Sequence, residues 1–187
     1  DGYQFESPSG PNGDGGSINL SGYMDPDPTV LFSGAVVDFG APSNFTFTFI
    51  LPLAPLVSNP SVVFDTLSGS ATDSGNDGVT LTPILPPAGI SEDGDGVPEI
   101  QVFSLSSNGG ATWQNVGLDE GPAAAFPGGA LAATYGAFAE GPIPTIPGGP
   151  WTHMRADISF RLSGFGDAFT FSGRKDLLAV PEPGTLV

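Results

Sequence analysis

Phe45-Thr46-Phe47-Thr48-Phe49 alternates ring and hydroxyl, so three phenylalanines fall on one face of an extended chain and two threonines on the other. The stretch Arg155-Ala156-Asp157-Ile158-Ser159-Phe160-Arg161-Leu162 repeats the period, with Ala156, Ile158, Phe160 and Leu162 opposite Arg155, Asp157, Ser159 and Arg161. One face is expected in a core and the other in water, as in an antiparallel sheet.

Working outward, shorter segments carry the same signal. Residues 17–23 place Ile18 and Leu20 together, and residues 29–39 follow the turn Asp25-Pro26-Asp27-Pro28. In the latter, Val30, Phe32, Ala35 and Val37 change phase near Gly34, which predicts a bulge or bend. Residues 61–67 and 78–85 read as a pair across a turn-rich connection. Residues 99–106 and 111–116 read as a hairpin, because Asn108-Gly109 supplies the positive φ angles of a tight turn. Residues 129–139 form a small-residue strand, residues 141–150 a polyproline-like connector, and residues 165–171 and 176–180 the last strands, entered through Gly164-Phe165-Gly166-Asp167.

No stretch of ten residues keeps a helical period free of glycine or proline. The uncharged run 122–139 is broken by Pro122, Pro127 and many small residues, so it does not read as a membrane span. The expected fold is all-β, an antiparallel β-sandwich or jelly roll of about ten short strands with long Gly/Pro-rich loops. Residues 1–16 read as an extended N-terminal arm with Tyr3 and Phe5 as apolar anchors, residues 17–180 as one sandwich domain, and residues 181–187 as a tail.

The chain has 187 residues, of which 28 are glycine and 20 proline, a level that suggests disorder unless apolar residues balance it. Fourteen phenylalanines do so. Cysteine is absent, which excludes disulfides and thiolate metal sites. The net charge of −16 lies wholly in residues 1–150, since all four basic side chains, Arg155, Arg161, Arg174 and Lys175, follow Trp151. Nucleic acid and anionic membranes need clustered cations and are therefore poor partners, and no nucleic-acid partner is expected. The first residue is Asp1 rather than Met, as expected after removal of a secretory leader.

Alternate carboxylates in Glu92-Asp93-Gly94-Asp95-Gly96-Val97-Pro98-Glu99 suit a hard cation, so Asp93, Asp95 and Glu99 are candidate calcium ligands. The match to an EF-hand loop is incomplete, because Val97 stands at a ligand position and Glu99 arrives early. Asp73, Asn76 and Asp77 make a smaller version of the same chemistry. Trp113 and Trp151 are candidate stacking platforms for sugar rings, although such residues serve equally as core anchors. His153 is the single histidine, so a zinc site would need mostly carboxylates, and Asp119-Glu120 and Glu92-Asp93 are the acid pairs a glycosidase would draw on.

Val180-Pro181-Glu182-Pro183 closes the chain. Two prolines around a glutamate remove backbone donors and hold an extended backbone that a processing enzyme can grip. The segment resembles the Pro-Glu-Pro signal of PEP-CTERM proteins, the bacterial substrates of exosortases, and residues 151–174 are similar to the two strands that often precede that signal. In the family a hydrophobic helix and basic residues follow, and here that helix would begin beyond Val187. The resemblance implies export, a sorting enzyme of the exosortase type as partner, a location outside the cell or on its surface, and association with extracellular polysaccharide. It implies nothing about catalysis, and no enzyme activity is expected. The leading expectation is an exported structural protein of a surface coat, biofilm or filament that self-associates by strand or arm exchange. The rivals are a carbohydrate-binding or adhesive module dependent on calcium and an extracellular hydrolase.

Overall fold

The computed structural model describes residues 3–11, 16–26, 28–58, 60–84, 97–129, 132–145 and 147–180. It is an antiparallel β-sandwich whose described residues include no helix. In chain order the strands are β1 (Tyr3–Pro11), β2 (Gly16–Asp25), β3 (Thr29–Asp38), β4 (Ser43–Val57), β5 (Ser61–Thr72) and β6 (Val79–Pro83). They continue as β7 (Gln101–Ser106), β8 (Gln114–Glu120), β9 (Ala124–Phe126), β10 (Ala133–Pro144), β11 (Trp151–Leu162) and β12 (Asp167–Ala179).

One sheet, A, has the order β1-β2-β3-β12-β5-β10. The other, B, is built around β11: β4 pairs along one edge over nearly its full length, while the opposite edge is shared by β7 at residues 153–158 and β6 at residues 160–162. β8 then pairs with β7 and β9 with β6. The two alternating segments that announced the fold are therefore neighbours, with Phe45, Phe47 and Phe49 opposite Phe160, Ile158 and Ala156.

A single apolar core fills the space between the sheets. Its centre is aromatic: Phe32 of β3 stacks on Phe49 of β4 at 5.2 Å, Phe171 of β12 meets Phe47 at 5.5 Å, and Phe169 of β12 meets Phe160 of β11 edge-on at 5.1 Å. Each contact joins sheet A to sheet B, so ring geometry as well as buried area holds the layers together.

Several expectations change. The strands are longer than the short ones expected, and five of them have twelve residues or more. Glycine and proline had marked breaks that the sheets absorb. β3 pairs in continuous register with both β2 and β12 and has no bulge at Gly34. Gly34 occupies an inward position beneath a ring, where a β-carbon would lie 2.3 Å from Phe171 Cζ. Residues 165–171 and 176–180 belong to one strand, β12, and the connector expected at 141–150 begins as the end of β10. The segments at 61–67 and 78–85 lie in different sheets rather than pairing. Residues 1–16 contribute β1, which pairs with β2 of the same chain. The outward face of β11 is dry at its middle: Asp157 and Ser159 are buried, with β4 beside both, β7 beside Asp157, and Arg155 bound to Asp157 at 2.7 Å. β7 and β8 form a hairpin, but its second strand is Gln114–Glu120 rather than residues 111–116, and the positive φ angles fall at Gly109 and Gly110 of a longer loop rather than at Asn108.

Gly34→Val forces a branched side chain into the space of the Phe171 ring, and overpacking of this kind costs about 1–3 kcal/mol. Urea unfolding should show that loss. A variant within about 0.5 kcal/mol of the parent would mean that the ring is free to move aside.

Candidate functional site

Two features of the sandwich are built from polar residues in patterned positions. The first lies between the sheets. Along β12 the inward phase runs Phe169, Phe171, Gly173, Lys175, Leu177, so Lys175 takes a core position and is fully buried. Its cross-strand neighbour on β5 is Asp65, also buried, and the Lys175 ammonium donates to Asp65 Oδ2. From sheet B, Gln101 of β7 reaches across and donates through Nε2 to Asp65 Oδ1 at 2.5 Å and to the Thr66 carbonyl at 3.3 Å. Gly173 makes the reach possible. A β-carbon there would lie 2.8 Å from Gln101 Oε1, 2.7 Å from the Thr66 carbonyl and 2.4 Å from the Phe32 ring.

Glu120 of β8 stands opposite Gln101 in the ladder and faces the same interior, while the Lys175 ammonium also lies 5.1 Å from the centre of the Phe103 ring. Burial lowers the Lys175 pKa and raises that of Asp65, each against the pull of its partner. Burial, reinforced by the charges of Asp65 and Glu140 and opposed by Lys175, pushes Glu120 up to about 7. Burial likewise raises the Tyr135 phenol, whose hydroxyl donates to the Pro122 carbonyl at 2.6 Å. The cluster can hold or release a proton near neutrality. Its members are enclosed by the two sheets, and its clearest effect is on stability.

The second feature is the outer face of sheet A. Ser21, Ser33, Ser172 and Ser68 form one row across β2, β3, β12 and β5. Ser21 and Ser33 share a hydrogen bond of 2.9 Å, as do Ser68 and Ser172. The next row holds Asn19, Ala35, Thr170, Ser70 and Thr134, with Ser70 and Thr170 joined at 2.7 Å. On the other side lie Tyr23, Leu31, Arg174 and Thr66, and Arg174 is bound to Asp176 at 2.5 Å. Strand spacing sets these groups about 4.8 Å apart across the sheet and about 7 Å apart along it. Two shallow depressions, of about 380 and 460 Å³, are lined by these rows.

The residues singled out from the sequence are dispersed. Asp93 and Asp95 lie outside the described residues, and Glu99 is half-buried ahead of β7. Trp151 is completely buried, so its ring has no face to offer a sugar and it serves as a core anchor. Trp113, in the loop after β7, is half-buried, and the Arg155 guanidinium sits 5.5 Å from its ring centre. Asp119 and Glu120 are adjacent in a strand and therefore point to opposite faces: Asp119 accepts from Asn115 Nδ2 at 2.8 Å, while Glu120 faces inward. They do not form a facing acid pair. His153, near the start of β11, places Nδ1 3.1 Å from the Thr152 hydroxyl. Val180 is exposed where β12 ends, and its N–H donates to the Pro60 carbonyl at 2.9 Å; Pro181, Glu182 and Pro183 lie outside the described residues.

Sequence reasoning missed the Lys175–Asp65 pair. The available signal was a charged residue in the apolar phase of each strand, after Phe169 and Phe171 in one and between Val63 and Leu67 in the other.

Fold and site together define a β-sandwich protein with an ionic cluster inside and a hydroxyl-lined sheet face outside. No protein-family model matches the chain, and neither curated proteins nor solved structures provide a match.

Removing one member of a buried ion pair strands the other charge. Lys175→Met should therefore destabilise the protein by about 3–5 kcal/mol in urea unfolding at neutral pH. Combining it with Asp65→Leu should recover much of that loss, and simple additivity would refute the pairing. Glu120 titrates near 7 when folded against a usual value of 4.5, so its contribution to stability is complete below pH 4.5 and is lost as pH rises through about 7. Glu120→Gln should remove that decline and raise the melting temperature at pH 8 by a few degrees. An unchanged pH profile would mean that another group titrates there.

Proposed function

We propose that the protein is a non-catalytic component of an extracellular matrix or surface coat, an exported sandwich that adheres to neutral polysaccharide through the outer face of sheet A. The row Ser21-Ser33-Ser172-Ser68 carries this reading. Each hydroxyl both donates and accepts, as do the hydroxyls of a sugar, and the row offers them at strand spacing on a shallow surface. Arg174 is tied to Asp176, which suits an uncharged ligand better than an acidic one. The acidity of residues 1–150 supports the same preference, since polyanions would be repelled. The Pro-Glu-Pro resemblance supports export and sorting to the place where such polymers accumulate.

Self-association is the second reading, and β4 is the observation that favours it. Among the described residues its outer edge has no strand partner, and Ile50 and Leu56 are exposed along it. Pro52 and Pro55 lack N–H donors, so a second chain would pair mainly with the first half of the strand.

Co-sedimentation with insoluble neutral polysaccharides such as cellulose, chitin and a β-glucan tests the adhesive reading. Wild type should be retained by at least one of them, and the double variant Ser68→Ala with Ser172→Ala should bind about tenfold more weakly, because each lost hydrogen bond is worth about 0.5–1.5 kcal/mol. Absence of retention, or equal retention of the variant, would overturn it. Sedimentation velocity of the same samples over rising concentration reports self-association directly, and a constant monomer would remove the second reading.

A further inference from the structure

The loop between β5 and β6 and the turn between β11 and β12 meet at one end of the sandwich. Asp73 and Asp77 come from the loop and Asp167 from the first position of β12, and one carboxylate oxygen of each lies within 4.8 Å of the others. Asp73 and Asp167 are buried and Asp77 is exposed. The three ion pairs among the described residues engage Arg155, Arg174 and Lys175, and none reaches this cluster.

The second observation is Asp167 itself. It is 1% exposed, its Oδ2 accepts from the Ser163 hydroxyl, and its other oxygen, Oδ1, is buried with no hydrogen-bond partner. A buried carboxylate oxygen without a donor is expected to have another ligand. The Phe165 carbonyl oxygen and Asp77 both crowd Gly75. A β-carbon placed on Gly75 would lie 2.5 Å from Asp77 Oδ1 and 3.3 Å from the Phe165 carbonyl oxygen. The turn that carries Phe165 is pinned by Phe165 N–H to the Gly40 carbonyl at 2.8 Å and Gly166 N–H to the Asp38 carbonyl at 2.7 Å.

We propose that Asp73, Asp77 and Asp167 form a calcium site that clamps the β5–β6 loop to the β11–β12 turn. Oxygen-only ligands select a hard cation over zinc or copper. The number of carboxylates then favours calcium, which takes six to eight oxygens in flexible geometry, over magnesium, which keeps several waters and is usually held by one or two carboxylates. The exposed side of Asp77 leaves room for water to complete the six to eight oxygens that calcium takes. The three ligands include none of the acids of the Glu92–Glu99 motif.

The full chain, stripped with a chelator, is titrated with calcium chloride and with magnesium chloride by calorimetry, and its melting temperature is followed. One calcium should bind per chain, with a melting temperature that climbs as calcium rises and a much weaker response to magnesium. Asp77→Asn changes an exposed side chain and should keep the fold while weakening calcium binding at least tenfold. Asp167→Asn should do the same, and the pair Asp93→Asn with Asp95→Asn should bind as wild type does. No heat and no thermal shift up to about 10 mM calcium, beyond the range of extracellular calcium modules, would overturn the proposal. So would calcium binding unchanged in Asp77→Asn, or binding lost only in the Asp93 and Asp95 variant.

Discussion

An ammonium with no exposure to water stands at the join between the two sheets, and much of the arrangement follows from the need to satisfy it. Lys175 is adjacent in sequence to Arg174 and Asp176, so a slip of β12 by one residue would exchange an inward cation for an outward one and turn every phenylalanine of the strand to solvent. In the observed register Asp65 of β5 neutralises Lys175 from within sheet A, and Gln101 of β7 completes the carboxylate's partners from sheet B. The buried charges are therefore less a source of stability than a specification of which residues face which. Gly173, small because Gln101 and Phe32 occupy its side-chain space, belongs to the same arrangement.

With the register specified, the two faces of sheet A take opposite characters. Inward lie Val30, Phe32, Val36, Phe169, Phe171, Val63 and Leu67, which pack against sheet B through stacked and edge-on rings. Outward lie hydroxyls that bond to one another across strands. Cross-strand hydroxyl pairs satisfy part of their own hydrogen-bonding capacity and leave the rest directed to solvent or ligand. Such a surface gains little from apolar burial, so the adhesive role proposed above would rest on many weak polar contacts rather than on one deep cavity.

Glycines and prolines were the most misleading residues. At Gly34 the chain continues straight, because a strand can accept glycine wherever a facing ring fills the vacant volume. In β4, Pro52 and Pro55 lie in an edge strand whose outer side has no strand partner among the described residues. Both cases depend on what lies beside the strand in space, which is set by residues remote in sequence. The same is true of Asp167, which the chain separates from Asp73 by half its length and the sandwich end brings within a few ångströms.

The sequence by itself determined the all-β class, the inward faces of β4 and β11, and the presence though not the bounds of the β7–β8 hairpin, because a two-residue period and a glycine-containing turn are local properties of the chain. Only the tertiary structure decided that Trp151 is core, that Asp119 and Glu120 part company, that Lys175 meets Asp65, and that serines of four strands align in one row. Those outcomes depend on strand order and on the registration of one sheet over the other. Both are set by long-range packing and by the neutralisation of a buried charge, which no window along the chain contains.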